Sequence, residues 1–139
     1  MTVHKLTDVE FGAELGPSHP DTRLERSSAF AEAVGWGRPP RFSNHEDARK
    51  EGHPGALVPG IMGMGFLTTL IRGWAPDATI EQIDTVFRAP VLVDHPASIT
   101  AVVTDVDEDD GIVELDLTIS NEAGETRVFG TAKVDLPTA

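Results

Sequence analysis

Histidine and carboxylate side chains able to move a proton crowd one short stretch of this chain: His45, Glu46, Asp47 and His53. An imidazole titrates near neutral pH, so a histidine beside an acid is common equipment for general acid–base catalysis. The same residue types can hold a metal, but their spacing here gives neither an H-E-x-x-H helix nor a facial triad. We expect no metal at this cluster. Asn44 is a good helix N-cap, and Asp47 three residues on resembles the second half of a capping box. Glu46 and Asp47 then fall in a first helical turn, where carboxylates suit the helix dipole. His53 precedes Pro54 and Gly55 and reads as an exposed turn residue. His45 has two readings, an exposed first-turn histidine or an inward-facing base. Ser27, Ser28 and Ser43 offer hydroxyl nucleophiles, yet nothing around them resembles a nucleophile elbow. With no cysteine present, a thiol nucleophile, a disulfide and a zinc–thiolate site are excluded.

Charge narrows the partners. A net charge of −12 argues against nucleic acid, because a phosphate backbone needs a basic face. The basic residues are nevertheless uneven: Arg38, Arg41, Arg49 and Lys50 are four of eleven. Such a patch could meet ligand phosphates or an acidic protein surface. It could equally pair with Glu46, Asp47 and Glu51 on a solvated helix. The start MTVHKLTDVE lacks a basic opening followed by an apolar run, so no secretory signal is expected. The apolar stretch 56–71 is broken by Pro59, glycines and threonines, and a membrane span needs about 20 apolar residues. A cytoplasmic protein that meets no membrane is the expectation.

The elements that must position these side chains are legible from periodicity. At 139 residues the chain fits one domain, residues 1–139, and can bury roughly two thirds of its unfolded surface. Val9 to Leu24 reads as a loop or short strand broken by Gly16, Pro17 and Pro20. Arg26 to Val34 is a short helix, and Gly35, Gly37, Pro39 and Pro40 forbid regular structure after it. A second short helix starts near His45 and stops at Gly52. Gly60 to Trp74 is apolar nearly all round, which predicts a helix wrapped by other structure. After Pro76 the period becomes 2, with strands predicted around Ile80–Phe87, Ile99–Thr104, Val113–Ile119 and Val128–Val134. Asp110-Gly111 and Asn121 to Gly124 are hairpin joints. The fold class is therefore α+β, an antiparallel sheet wrapped around a central buried helix.

The stretch GWGRPPRFSNHEDARKEG (35–52) followed by ALVPGIMGMGFLTTLIRGW (56–74) resembles the signature of the MaoC-like hot-dog enoyl-CoA hydratases and 3-hydroxyacyl dehydratases. Pro40, Ala48 and Gly52 fit its pattern, roughly G-D-x-N-P-x-H-x-D-x-x-x-A-x-x-x-G. Asp8–Gly12, Phe87-Arg88-Ala89-Pro90-Val91 and Phe129–Val134 are similar to its opening segment, its F-R-x-P-V and its closing strand. The resemblance implies the hot-dog fold, an acyl thioester on coenzyme A or a carrier protein as substrate, no cofactor, and a dimer. In that family an acid and a histidine move the protons while the helix N-terminus holds the thioester oxygen. Here Gly60 would be the backbone oxyanion donor. The acid position is Gly37 and the histidine position Phe42, neither of which can transfer a proton. Asn is replaced by Pro39, the second Asp by Asn44, and the residue before the helix glycine is Pro59.

Several readings follow from that resemblance. With a small loop shift His45 would act as the base, giving a hydratase or dehydratase with a non-standard site. Trp36 and Phe42, with Gly37, Arg41 and Pro59 beside them, would line an acyl pocket, or the two rings simply fill core. Alternatively the chain is a non-catalytic hot-dog subunit, paired as a homodimer or heterodimer, that shapes the acyl pocket of a catalytic partner. A thioesterase or cyclase on the same fold is the remaining reading.

Overall fold

Alternation of apolar and polar side chains turns the C-terminal half into strands, and the computed structural model describes residues 1–138 of the chain. Ile99, Ala101 and Val103 of β3 (Ala97–Asp107) point into the core, as do Val113, Leu115, Leu117 and Ile119 of β4 (Ile112–Asn121). Val128, Ala132 and Val134 of β5 (Thr126–Asp135) continue that face. Ala101 stands opposite Leu117, and Leu115 opposite Ala132, so one register keeps all three rows on the same side. The hairpins form where expected. Asp107 accepts from the N–H groups of Asp109 and Asp110, and Asn121 from those of Ala123 and Glu125.

Two outer strands complete the sheet. β1 (Glu14–Ser18) lies beside β3, and β2 (Thr79–Phe87) beside β5, giving the antiparallel order β1-β3-β4-β5-β2. β2 approaches β5 so closely that a Cβ on Gly130 would run into the Asp84 carbonyl. Only glycine fits there.

Between β1 and β2 the chain makes a long excursion over the concave face. It carries α1 (Leu24–Ala33), α2 (Pro40–Ser43), α3 (His45–Lys50) and α4 (Gly60–Trp74). The one-turn α2 was not expected: the prolines forbid structure only up to residue 39, and Pro40 then serves as the first helical residue, where a missing N–H costs nothing. α3 is capped as predicted, with Asn44 Oδ1 accepting from Asp47 N–H at 3.0 Å.

α4 lies on the sheet through Gly63, Leu67, Ile71 and Trp74, spaced as one helical stripe. Its neighbouring flank, Met62 and Phe66, packs on a smaller apolar cluster of Ala48, Ala56, Val58 and Val93. Enclosure is less complete than the all-round apolar sequence implies. Ile61 is 57% exposed and Gly65, Thr69 and Arg72 also face out, because five strands curl round only part of a cylinder. Among the described residues no helix is long and apolar enough to cross a membrane.

Candidate functional site

Residues 35–60 connect α1 to α4, and single hydrogen bonds pin them down. Ser27 is fully buried in α1, and its hydroxyl lies 2.9 Å from the Phe42 carbonyl and 3.0 Å from that of Leu57. The Arg41 carbonyl accepts from Leu57 N–H at 2.7 Å. Val58 and Ala56 then pair with Val91 and Val93 in a short antiparallel ladder. These ties set the direction in which the chain enters α4.

His45 is the central tie. Its Nε2 lies 2.7 Å from Asp94 Oδ2, and its Nδ1 accepts from the backbone N–H of Ala56 at 3.0 Å. An Nδ1 that accepts must be bare, so the ring carries its proton on Nε2 and donates it to the carboxylate. The other oxygen of Asp94 accepts from Leu24 N–H, the first donor of α1. Asp94 itself has φ 65°, an uncommon conformation for a non-glycine residue. The hydrogen bond from His45 holds its carboxyl below the usual range, aided by Leu24 N–H and opposed by partial burial. Both nitrogens of His45 are thus engaged in joining α3, α1 and the turn at residue 94. No lone pair is left for a substrate proton.

Of the residues expected to line an acyl pocket, Trp36 and Phe42 meet each other, but neither they nor Gly37, Arg41 and Pro59 border the cavity beside α4. Trp36 stacks on Phe42 with ring centroids 5.7 Å apart and meets Phe30 edge-on at 6.3 Å. Phe30 in turn lines that cavity, of about 490 Å³ between α1 and α4, together with Ala33, Met62, Phe66, Thr69 and Ile99. That volume is within the range of about 300–1,000 Å³ that takes a small-molecule ligand. Asp21 and Arg26 also border it, and Asp21 is ion-paired with Arg23 at 2.7 Å and Arg26 at 3.2 Å. The Arg23 guanidinium holds that carboxyl far below the usual range, so it stays charged.

At the acid position, Gly37 is exposed with φ 72°, and a Cβ there would meet no atom within 4 Å. Pro59 is buried immediately before α4. Gly60 begins the helix, so its N–H is one of the donors that no helix satisfies internally. The ring of Phe87 lies beside Gly60, which is itself exposed: a Cβ there would lie 3.2 Å from that ring. The basic patch is largely neutralised. Arg38 reaches Glu32 at 3.4 Å, Lys50 reaches Asp47 at 3.7 Å, and Arg41 approaches Glu51 at 3.9 Å.

Three features escaped the sequence reading: the Asp94 partner of His45, the small α1 residues that leave the cavity open, and Phe87 beside Gly60. Only the last had a signal, since Phe87 opens the F-R-x-P-V resemblance.

No protein-family profile and no curated protein matches the chain. Solved structures do. The (R)-hydratase from A. caviae involved in PHA biosynthesis superposes with a TM-score of 0.85 at 22% identity, over 93% of this chain and 98% of that one. This chain has the hot-dog fold. The MaoC-like dehydratase from Rhodospirillum rubrum shares it, with a TM-score of 0.78 and 18% identity over 94% of each chain. So does the ChsH1-ChsH2 complex from Mycobacterium tuberculosis, with 0.82 and 19% over 92% of this chain and 98% of that one. The hot-dog expectation drawn from residues 35–74 is borne out.

Proposed function

We propose that this chain binds an acyl thioester and takes part in enoyl-thioester hydration or 3-hydroxyacyl-thioester dehydration as the acyl-holding member of a hot-dog pair. A partner subunit supplies the acid and the histidine. The observation that carries this is the contrast beside α4. An open apolar cavity lies next to it, while the acid and histidine positions hold Gly37 and Phe42 and both ring nitrogens of His45 are engaged. Asp21 at the cavity is a poor acid because two arginines keep it charged.

Each group has a role in that reading. The thioester oxygen gains charge in the transition state, and Gly60 N–H at the start of α4 would stabilise it. Trp36 and Phe42 would support Phe30 as a rigid wall. β2 pairs with β5 alone and leaves its other edge uncovered, with Val86 and Phe87 half exposed. An edge of that kind accepts another strand, which supports pairing with a second hot-dog chain. The ChsH1-ChsH2 complex, one chain of which superposes on this one, is a precedent for a chain of this fold in an assembly of two proteins.

The test is hydration of a short enoyl-CoA by the purified chain alone and after co-expression with a hot-dog chain that carries both Asp and His. The chain alone should bind the thioester without turning it over, and the pair should be active. Robust turnover by the isolated chain would overturn the reading in favour of a self-sufficient enzyme. Gly37→Asp with Phe42→His should raise kcat/KM of the isolated chain, since general acid–base catalysis contributes about 10²–10⁴-fold.

A further inference from the structure

A second cavity, of about 430 Å³, lies between β1 and α4 and is lined by Leu15, Gly16, Leu70, Gly73 and Trp74. It shares two residues with the cavity beside α1, Ser18 and Thr69. The two hollows therefore adjoin at those two small hydroxyl side chains, which form a neck between them, and together they make up a groove. Along α4 its floor is a single stripe, Met62, Phe66, Thr69, Leu70 and Gly73, at the spacing of one helix face. The groove follows the helix away from the Gly60 end.

Small residues keep it open. Gly73 is the clearest case, because a Cβ there would meet nothing within 4 Å. A glycine inside a helix that packs against nothing lowers helix propensity without any return in packing. Beyond the neck the groove ends at Trp74, which is almost fully buried, while Met1, Thr2 and Glu14 border its open, more polar side.

We infer that the acyl group this site accepts is an elongated apolar chain rather than a short one. The inference rests on the thioester reading above and adds the substrate class. From Met62 to Gly73 the helix rises roughly 16 Å at about 1.5 Å per residue, and a carbon chain with bonds of about 1.5 Å advances roughly 1.3 Å per bond, so the groove spans on the order of a dozen carbons. The head of the acyl group lies by α1, and its tail passes Thr69 into the second cavity.

The experiment is a calorimetric titration of the purified chain with butyryl-, octanoyl- and dodecanoyl-CoA, each below its micelle concentration. No turnover is required. Burial of one methylene strengthens binding about fourfold, so dodecanoyl-CoA should bind at least tenfold more tightly than octanoyl-CoA. Gly73→Phe fills the far cavity at an exposed helix position and should abolish that gain while leaving octanoyl-CoA within twofold. Thr69→Phe plugs the neck and should weaken octanoyl-CoA as well as dodecanoyl-CoA. If butyryl-CoA binds but affinity does not rise with chain length, or if both variants leave the dodecanoyl-CoA affinity intact, the groove assignment is overturned and the thioester reading survives. If no thioester binds, the thioester reading falls and the groove assignment with it.

Discussion

In the sheet and α4, neighbouring side chains repeat one another's role; in residues 35–58 each tie is made once. Leu115, Leu117, Ile119 and Val113 all bury the same kind of surface on the same face, and their partners on β3 and β5 do likewise. The connecting excursion instead depends on the Ser27 hydroxyl, the His45 ring and the Asp94 carboxylate, each with a distinct geometry. Burial is non-directional and additive, so a sheet tolerates many sequences. A hydrogen bond is directional, and a buried group that loses its partner is costly. The comparison teaches how a hot-dog scaffold can persist while its proton-transfer positions change: the scaffold does not depend on them.

The largest effect that would sharpen this contrast is in the sheet. Leu115→Ala removes a fully buried side chain at the middle of β4 and should cost about 2–5 kcal/mol, read from the denaturation midpoint. A loss confined to the excursion, with the sheet amides still protected from exchange, would contradict the comparison.

Acid should act in the opposite order. The Asp94 carboxyl sits below its ordinary value of 3.8 in the folded chain, chiefly through His45. Its contribution is therefore complete above that value and is lost as the pH falls through the folded-state value. Hydrogen exchange at residues 45–57 should accelerate in that acid window before exchange in β3, β4 and β5 does. Asp94→Asn should remove the pH dependence and leave the fast exchange at neutral pH. If Asp94→Asn exchanges like the parent, the His45 tie holds nothing together.

The smallest effect belongs to the surface. Arg38→Ala and Lys50→Ala break exposed ion pairs and should shift stability by no more than about 0.5–1 kcal/mol. Neither should change the dissociation constant for an acyl-CoA by more than about threefold. A loss of tenfold or more would return these residues to a phosphate-binding role.

Much of the scaffold was readable because its signals are local. The period-2 alternation of residues 99–104 and 113–119, the turn chemistry at Asp110-Gly111, the Asn44 cap and the start of α4 at Gly60 each span a few residues and were located correctly. The site was readable only as positions. Trp36 and Phe42 were picked out as a pair of rings, and they do stack, but nothing near them in sequence announced that Phe30, not they, borders the cavity. The ends of α1 were misjudged for a similar reason. The helix begins at Leu24 because a carboxylate from residue 94 caps it, and Arg23 offers no side-chain cap of its own.

By itself, then, the amino-acid order determined the strands, the hairpins between consecutive strands, the apolar helix and the absence of an acid and a histidine at residues 37 and 42. Tertiary structure alone decided that β1 and β2 flank the sheet, that His45 meets Asp94 across 49 positions, and that α1 stands off α4 far enough to leave a groove. The physical reason is the range of the determinants. Periodicity and turn propensity act over a few residues, whereas strand order, a distant ion pair and an unfilled volume exist only once the whole chain has closed on itself.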